Sequence, residues 1–477
     1  MVAYDDDTGR EAIDLTMETT GSPACGLFVR LSGACYSAGQ TVTKGNVMKI
    51  LCAADLHLGR RASRLPRGVS VGGMSATAGW QDIVQLALDQ EVALVLLAGD
   101  VVDWENRYYE AYGPLERGVR RLVDAGVAVW AVAGNHDVEA LPRLTDAMKG
   151  SAFRLLGRSG EWERAVFEED GRPVLAVDGW SFRQRVEKVP PLTSYSLPAP
   201  DGVPRLVMLH GDLDQSGSVY APISRTDMQR VGAEFWLLGH IHKPMLDHLP
   251  GGAPVLYPGS PMALDPGETG PHGPWLLEVD HGLLSEPRQV ALSRMRYENI
   301  TMDLSGITEL EEFDVRVLPS LRQEAGRILA DHLAARSLSL RVTLTGRTCL
   351  HGRLSGRVTK LVEDFETDVD GVPIGIDKVD LRTVPDRALD EIARGTSPAA
   401  LLARLLQDLD ADHDGPHEEV AALLDLAGRK LNAAAAARPF QFVTDEQMRV
   451  EVEETRLRLR RAGLDLLERL LGQIEAS

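Results

Sequence analysis

The 477-residue sequence predicts an α/β domain, then a small α+β unit, then a helix-rich end. Three observations carry that expectation. Between Met48 and about Asp280, short β-branched runs alternate with helical stretches, the pattern of a layered α/β domain. From about Arg296 the texture changes to a few strand-like segments around one helical stretch. After Ser397-Pro398, a helix N-cap followed by proline at the first helical position, leucine- and alanine-rich helical segments run to the end.

Residues 1–47 are polar and lack apolar periodicity, so an unordered extension is expected there, with Met48 opening the fold. The α/β region, 48–285, carries five apolar runs: VMKILCAAD, VALVLLAGD, VAVWAVAGNHD, RLVMLHGD and EFWLLGHIH. Each reads as a buried strand. Helices are expected around Gln81–Gln90 and Leu115–Ala125, the second stopped by Gly126. In the second unit, 296–390, FDVRVLP, a helical stretch through Ala334 and LSLRVTLTG read as strand, helix, strand. The helical region, 397–477, ends in a segment from Asp445 whose Leu457, Leu464, Leu467 and Leu471 share one helical face. That face either packs on its own chain or receives a partner.

Composition excludes several classes. With 44% hydrophobic and 25% charged residues, the chain is neither disordered nor collagen-like. No run approaches the ~18 apolar residues of a membrane span. The acidic opening MVAYDDDTGREAID lacks the positive charge of a signal peptide. Cys25, Cys35, Cys52 and Cys349 are too few and scattered for a disulfide framework or a Cys-rich zinc site. A reducing cytoplasm is therefore expected, with Cys52 serving as a small buried hydrophobe. The net charge of −19, acidic in every region, excludes a protein that holds nucleic acid by its own charge alone.

The five runs end on residues that bind metals: Asp55-Leu56-His57, Asp100 with Asp103, Asn135-His136-Asp137, His210-Gly211-Asp212 and His240-Ile241-His242. Carboxyl ends of neighbouring strands in an α/β sheet share one edge, where ligands collect. The i, i+2 pairs Asp55/His57 and His240/His242 place both side chains on one side of an extended chain. Two divalent ions ~3.5–4 Å apart lower the pKa of a shared water and clamp the attacking and leaving oxygens of a phosphoryl displacement. Asp100 is the natural bridge, and Asn135 adds a neutral oxygen. Oxygen and imidazole donors without thiolate favour Mn, Fe, Zn or Co over Mg.

These motifs, in this order, resemble those of the calcineurin-like metallophosphoesterases. The resemblance implies an αββα sandwich of two mixed sheets flanked by helices. It implies one metal on Asp55, His57, Asp100 and His242, and the other on Asp100, Asn135, His210 and His240. His136 would lie outside both, donating to a phosphate oxygen or protonating the leaving alkoxide. Asp103 and Asp137 would orient histidines. The remaining histidines, His248, His281, His332, His351, His413 and His417, read as surface or structural groups, with His272 a possible exception in the loop after PGSP.

Two features narrow the class. The stretch Val255–Pro261 followed by Gly270–Gly273 and PWLLEVD is similar to a passage of SbcD-type DNA repair exonucleases, especially the YhaO-like branch. The ~180 residues that follow match the layout of a capping domain and partner-binding helices. The resemblance implies a Mn²⁺-dependent DNA nuclease working with an SMC-family, SbcC-like ATPase, with a homodimer left open. Arg60, Arg61, Arg64 and Arg67 follow the first ligand loop and are candidate DNA-phosphate contacts. The alternatives are a small-molecule or cyclic-nucleotide phosphodiesterase or phosphatase, and a non-catalytic scaffold.

Overall fold

The computed structural model describes residues 47–103, 108–215, 217–365, 367–385, 389–410, 417–435 and 451–475. The expected N-terminal extension, Cys25, Cys35 and His413 lie outside the described residues.

The first part of the chain runs β1 (Met48–Ala53), α1 (Ala76–Asp89), β2 (Leu94–Ala98), α2 (Tyr108–Asp124), β3 (Ala128–Val132), α3 (Ala140–Ala147) and β4 (Phe153–Leu155). It continues through β5 (Glu163–Glu169), β6 (Arg172–Trp180), β7 (Arg205–His210), α4 (Arg225–Val231), β8 (Phe235–Gly239), β9 (Met245–His248) and β10 (Pro254–Tyr257). Strands β11 (Trp275–Asp280), β12 (Leu283–Leu284) and β13 (Arg288–Gln289) complete it. All five apolar runs are strands, but they divide between two mixed sheets. One has the order β12-β11-β1-β2-β3-β4, with β13 pairing β11; the other is β5-β6-β7-β8-β10-β9.

Side-chain alternation explains the stacking. Ile50, Cys52, Leu94, Leu96 and Val132 of the first sheet pack against Val177, Leu206, Met208, Phe235 and Leu237 of the second. The intervening residues Leu51, Ala53, Val95, Leu97 and Ala131 turn the other way, onto Trp80, Ile83, Leu115 and Val119 of α1 and α2. On the far side, Val207, Leu209, Trp236 and Leu238 cluster with Met228 of α4. Strands buried on both faces read as continuous apolar runs for this reason. Each fully buried Leu or Val side chain contributes ~1.5–3 kcal/mol. Cys52 is fully buried in the inter-sheet layer, and burial pushes its thiol up.

The second unit contains β14 (Met295–Asp303), α5 (Leu310–Ala330), β15 (Ser337–Thr345), β16 (Arg347–Thr348), α6 (Leu354–Asp364), β17 (Thr367–Val369), β18 (Val372–Leu381) and β19 (Val384–Pro385). Its sheet has the order β14-β15-β18-β17, and β16 pairs with β19. One expectation fails here: FDVRVLP is not a strand but the opening of α5. Phe313, Val317, Leu321, Ala325 and Ile328 lie buried at spacings of three and four, so helical burial wins over the local V-x-V alternation. The strand that enters the unit is β14, further upstream.

The helical end comprises α7 (Leu389–Ala393), α8 (Pro398–Asp410), α9 (Glu418–Ala435) and α10 (Val452–Glu475). The Ser397 hydroxyl accepts from Ala400 N at 3.2 Å, capping α8. The leucine stripe of α10 is split. Leu464 and Leu467 are buried against Ala399, Leu406 and Leu409, with Leu471 half-buried beside them, whereas Leu457 is 59% exposed. Among the described residues no helix is long and apolar enough to cross a membrane.

Candidate metal centre

The site is built where the strand ends of both sheets meet. Backbone bonds zip the loops after β1 and β2 together: Asp55 N donates to Gly99 O at 3.0 Å, His57 N to Asp100 O at 2.9 Å and Leu58 N to Val101 O at 2.9 Å. The pairs are not on extended chain. Asp55 (φ 53°), His57 (φ 46°), Asp100 (φ 50°) and His240 (φ 101°) occupy left-handed backbone, a strain that folded surroundings must impose. Two glycines make room for them. A Cβ on Gly134 would lie 2.2 Å from Asp100 Oδ1, and one on Gly239 would lie 2.0 Å from Ala98 O.

Two clusters of potential ligand atoms form, each within 4.8 Å: Asp55, His57 and His242, and Asp100, His210 and His240. The GHIH histidines part company, one to each cluster, as the resemblance implied, although the i, i+2 spacing on an extended chain would have kept them on one side. Within the first, His57 Nε2 and His242 Nε2 stand 3.0 Å apart. Asp100 Oδ2 links the clusters, 3.3 Å from His210 Nε2 and 3.8 Å from His57 Nε2. A third grouping, His57, Asp103 and His136, shares His57.

These groups fit a pair of cations. Asp55 and Asp100 are buried at 0% and 3% exposure, and their partners are imidazoles and backbone amides. Asn135 Oδ1 and His210 Nε2 are buried without a hydrogen-bond partner, which a protein avoids unless a ligand completes them. His210 Nδ1 faces Ala98 O at 3.1 Å, so Nδ1 carries the proton and Nε2 offers its lone pair. Burial pushes the Asp55 carboxyl up to about 6, against the pull of His210 and His242. Burial opposes ionisation of His210, yet Asp100 and Asp55 together carry its pKa up to about 9. Without a cation the carboxylates draw a second proton onto His210, and a divalent ion at Nε2 would take that proton's place.

The other expected residues sort differently. His136 is about one-quarter exposed, and its Nδ1 lies 3.3 Å from Asp103 Oδ1. Burial depresses its pKa, but that hydrogen bond and the carboxylates of Asp100 and Asp103 raise it overall. Among the described residues Asp137 hydrogen-bonds to no histidine, contrary to the orienting role expected of it. Its fully buried carboxylate accepts from Val102 N (2.8 Å), Val101 N (3.0 Å) and Gly134 N (3.2 Å), tying the Asp100 loop to the Asn135 loop. Three backbone donors with no other acceptor outcompete a side chain.

The arginine run is not a freely solvated loop. Ser63 N donates to Leu264 O, the Tyr297 hydroxyl to Ser63 O, and Ser339 Oγ to Arg64 O, sewing 60–67 to the second unit. Arg64, 72% exposed, has Nε 3.6 Å from Asp377, Arg60 Nε is 3.9 Å from Asp103, and Arg61 and Arg67 are exposed. His272 is fully buried against Ser260 O at 2.6 Å and belongs to neither cluster. His351 bridges Thr383 and Asp465, so it fastens α10 to the second unit.

Two carboxylates went unassigned in the sequence. Asp212 Oδ1 lies 3.3 Å from His240 Nε2, and its other oxygen accepts from Ser218 Oγ. Glu268 Oε1 accepts from His242 Nδ1 at 2.7 Å. The adjacency of Asp212 to His210 in HGD was a usable signal; nothing local marks Glu268.

Residues 48–244 match the family of calcineurin-like phosphoesterases, and residues 297–384 match the middle domain of metallophosphoesterase YhaO. A Bacillus subtilis (strain 168) protein described as uncharacterized metallophosphoesterase YhaO is 30% identical over 239 residues, covering 49% of this chain and 58% of that one. A DNA double-strand break repair protein Mre11 of Aeropyrum pernix is 31% identical over 229 residues, 46% of this chain and 54% of its own length. Another Mre11, from Methanopyrus kandleri, is 25% identical over 296 residues, 57% of this chain and 62% of its own. The chain thus spans little more than half the length of these relatives. Five ligand-bearing strand ends on a two-sheet sandwich make residues 48–244 a calcineurin-like phosphoesterase domain, and with the YhaO-type middle domain that follows the chain is similar to metallophosphoesterases of the YhaO/SbcD type.

Proposed function

We propose that this metal-dependent phosphoesterase is a DNA nuclease that hydrolyses phosphodiester bonds, with Mn²⁺ as its preferred ion. The observation that carries the reading is the convergence of Asp55, His57 and His242 beside Asp100, His210 and His240, bridged by Asp100 Oδ2. Asp55, His57, Asp100 and His242 would hold one ion, and Asp100, Asn135, His210 and His240 the other. When bound, such a pair acidifies water and neutralises charge developing on phosphoryl oxygens. His136 is held by Asp103 through Nδ1, which leaves its other ring nitrogen for a phosphate oxygen or the leaving alkoxide. The mixed imidazole and oxygen donors suit Mn²⁺ better than Mg²⁺.

The substrate assignment is supported by the relatives described as double-strand break repair proteins. Arg61 and Arg67, exposed beside the first ligand loop, and exposed Arg64 offer phosphate contacts to a passing strand. The exposed Leu401, Leu423, Leu426, Leu457 and Leu466 of the C-terminal helices support a partner there, proposed to be an SMC-family ATPase in the cytoplasm. An ATPase that shares DNA binding reconciles the reading with the charge of −19.

The test is digestion of linear duplex DNA with Mn²⁺, alongside bis-p-nitrophenyl phosphate and cyclic nucleotides. Asp100→Ala and His136→Ala should abolish DNA digestion while circular dichroism stays unchanged. Selective turnover of a cyclic nucleotide, or full activity in both variants, refutes the reading.

A further inference from the structure

Each histidine of GHIH has a carboxylate beside one ring nitrogen, Asp212 for His240 and Glu268 for His242, and the more completely enclosed of the two is Glu268. It is 7% exposed and lies in the loop between β10 and β11. Its two oxygens are both engaged. Oε1 takes His242 Nδ1 at 2.7 Å; Oε2 accepts from Leu264 N at 2.7 Å and from Ser260 Oγ at 3.0 Å. Ser260 in turn donates its backbone N–H to His242 O at 2.9 Å, closing a ring from His242 through Glu268 and Ser260 back to His242.

That ring restricts the imidazole. A carboxylate acceptor at 2.7 Å requires the proton on Nδ1, because a lone pair there would face negative charge. The proton on Nδ1 leaves Nε2, which is 3.0 Å from His57 Nε2, as a lone pair directed at the first cluster. Both oxygens of Glu268 are engaged in these bonds, and it belongs to no ligand grouping among the described residues. The same loop carries Leu264 O, which accepts from Ser63 N, and Gly270, which donates to Tyr297 O. Its position is therefore set jointly by the arginine loop and by the strand entering the second unit.

From this geometry we propose that Glu268 is a positioning residue for the metal centre, holding His242 in the tautomer and orientation that present Nε2 to a divalent cation. The inference rests on the functional reading above and adds to it a residue that no ligand motif contains.

Direct Co²⁺ titration of the full chain, followed by calorimetry and by the visible absorption of the bound ion, tests it without any turnover. The unsubstituted chain should bind two ions. Glu268→Ala should weaken one of the two by about 10- to 100-fold and alter its absorption, the range found when such outer partners are lost. Glu268→Gln, which keeps an oxygen for Nδ1, should lose less and serves as the test if the alanine variant does not fold. Adding either substitution to His242→Ala should cause no further loss, since Glu268 acts through that ring; a purely structural tie would weaken binding equally in both backgrounds. Unchanged affinity and absorption in the glutamate variants, or an equal loss in the His242→Ala background, overturns the inference and leaves the metal centre standing. Absence of Co²⁺ binding by the unsubstituted chain overturns both.

Discussion

Replacing Gly239 by alanine isolates the steric logic of the site. Gly239 ends β8, opposite His210 in the β7–β8 register, and its φ is not in the left-handed region, so alanine meets no backbone penalty there. Space is the obstacle. The new Cβ would stand 2.0 Å from Ala98 O and 2.6 Å from His210 Nδ1, the two atoms whose 3.1 Å contact orients His210. Ordinary C···O contacts begin at about 3.3 Å, so something must retreat by roughly 1 Å. Overpacking of this kind costs ~1–3 kcal/mol of stability. A ligand displaced by about 1 Å costs on the order of 100-fold in rate. The matched control is Gly126→Ala: its φ of 86° is strained for alanine, yet no atom lies within 4 Å of the added methyl. It should lose ~1–2 kcal/mol from the left-handed conformation alone and keep its activity. The assay is hydrolysis of bis-p-nitrophenyl phosphate with Mn²⁺, paired with thermal melting and Mn²⁺ titration of each variant. Full turnover and unchanged Mn²⁺ affinity in Gly239→Ala would refute the claim that this glycine exists to seat His210.

Other outcomes follow from the same contacts. Asp137→Ala leaves the buried amides of Val101, Val102 and Gly134 without their acceptor, at ~1–3 kcal/mol each, so urea unfolding should show a loss of several kcal/mol. His332 is 1% exposed, and burial with the nearby Arg296 charge lowers its pKa from 6.5 to about 4. The unfolded chain therefore binds the proton first, and the contribution of His332 is intact above pH 6.5 and lost as pH falls toward 4. The difference in melting temperature between the chain and His332→Leu should vary across that window and be flat above it. Arg61→Ala and Arg64→Ala should each lower the slope of log affinity for DNA against log salt by about 1, with little change in melting temperature. An unchanged slope would remove both from the DNA path.

Much of the site could be read from residue order. Asp55, His57, Asp100, Asn135, His210, His240 and His242 stand at the ends of apolar strands, and both the strands and their ends are local properties of the chain. Where local cues conflicted, the reading failed: FDVRVLP alternates like a strand, and only burial of Phe313, Val317 and Leu321 against the second unit's sheet makes it helix. The leucine face of α10 was equally ambiguous, because periodicity marks a buried stripe without naming what buries it; contacts with Leu406 and Leu409 decide for Leu464 and Leu467, and not for Leu457.

The amino-acid order by itself determined which side chains can coordinate, which segments are strands, and that no membrane-length apolar run exists. Tertiary structure alone decided how those side chains are divided and held. It bends Asp55, His57 and His240 off extended chain, turns Asp137 onto backbone amides, fastens the arginine loop through Arg64, Ser63 and Tyr297, and brings Glu268 to His242 across 26 positions of chain. The reason is physical: strand and helix signals are written in neighbours along the chain, whereas a hydrogen bond between distant loops exists only after two sheets have packed and fixed where those loops must meet.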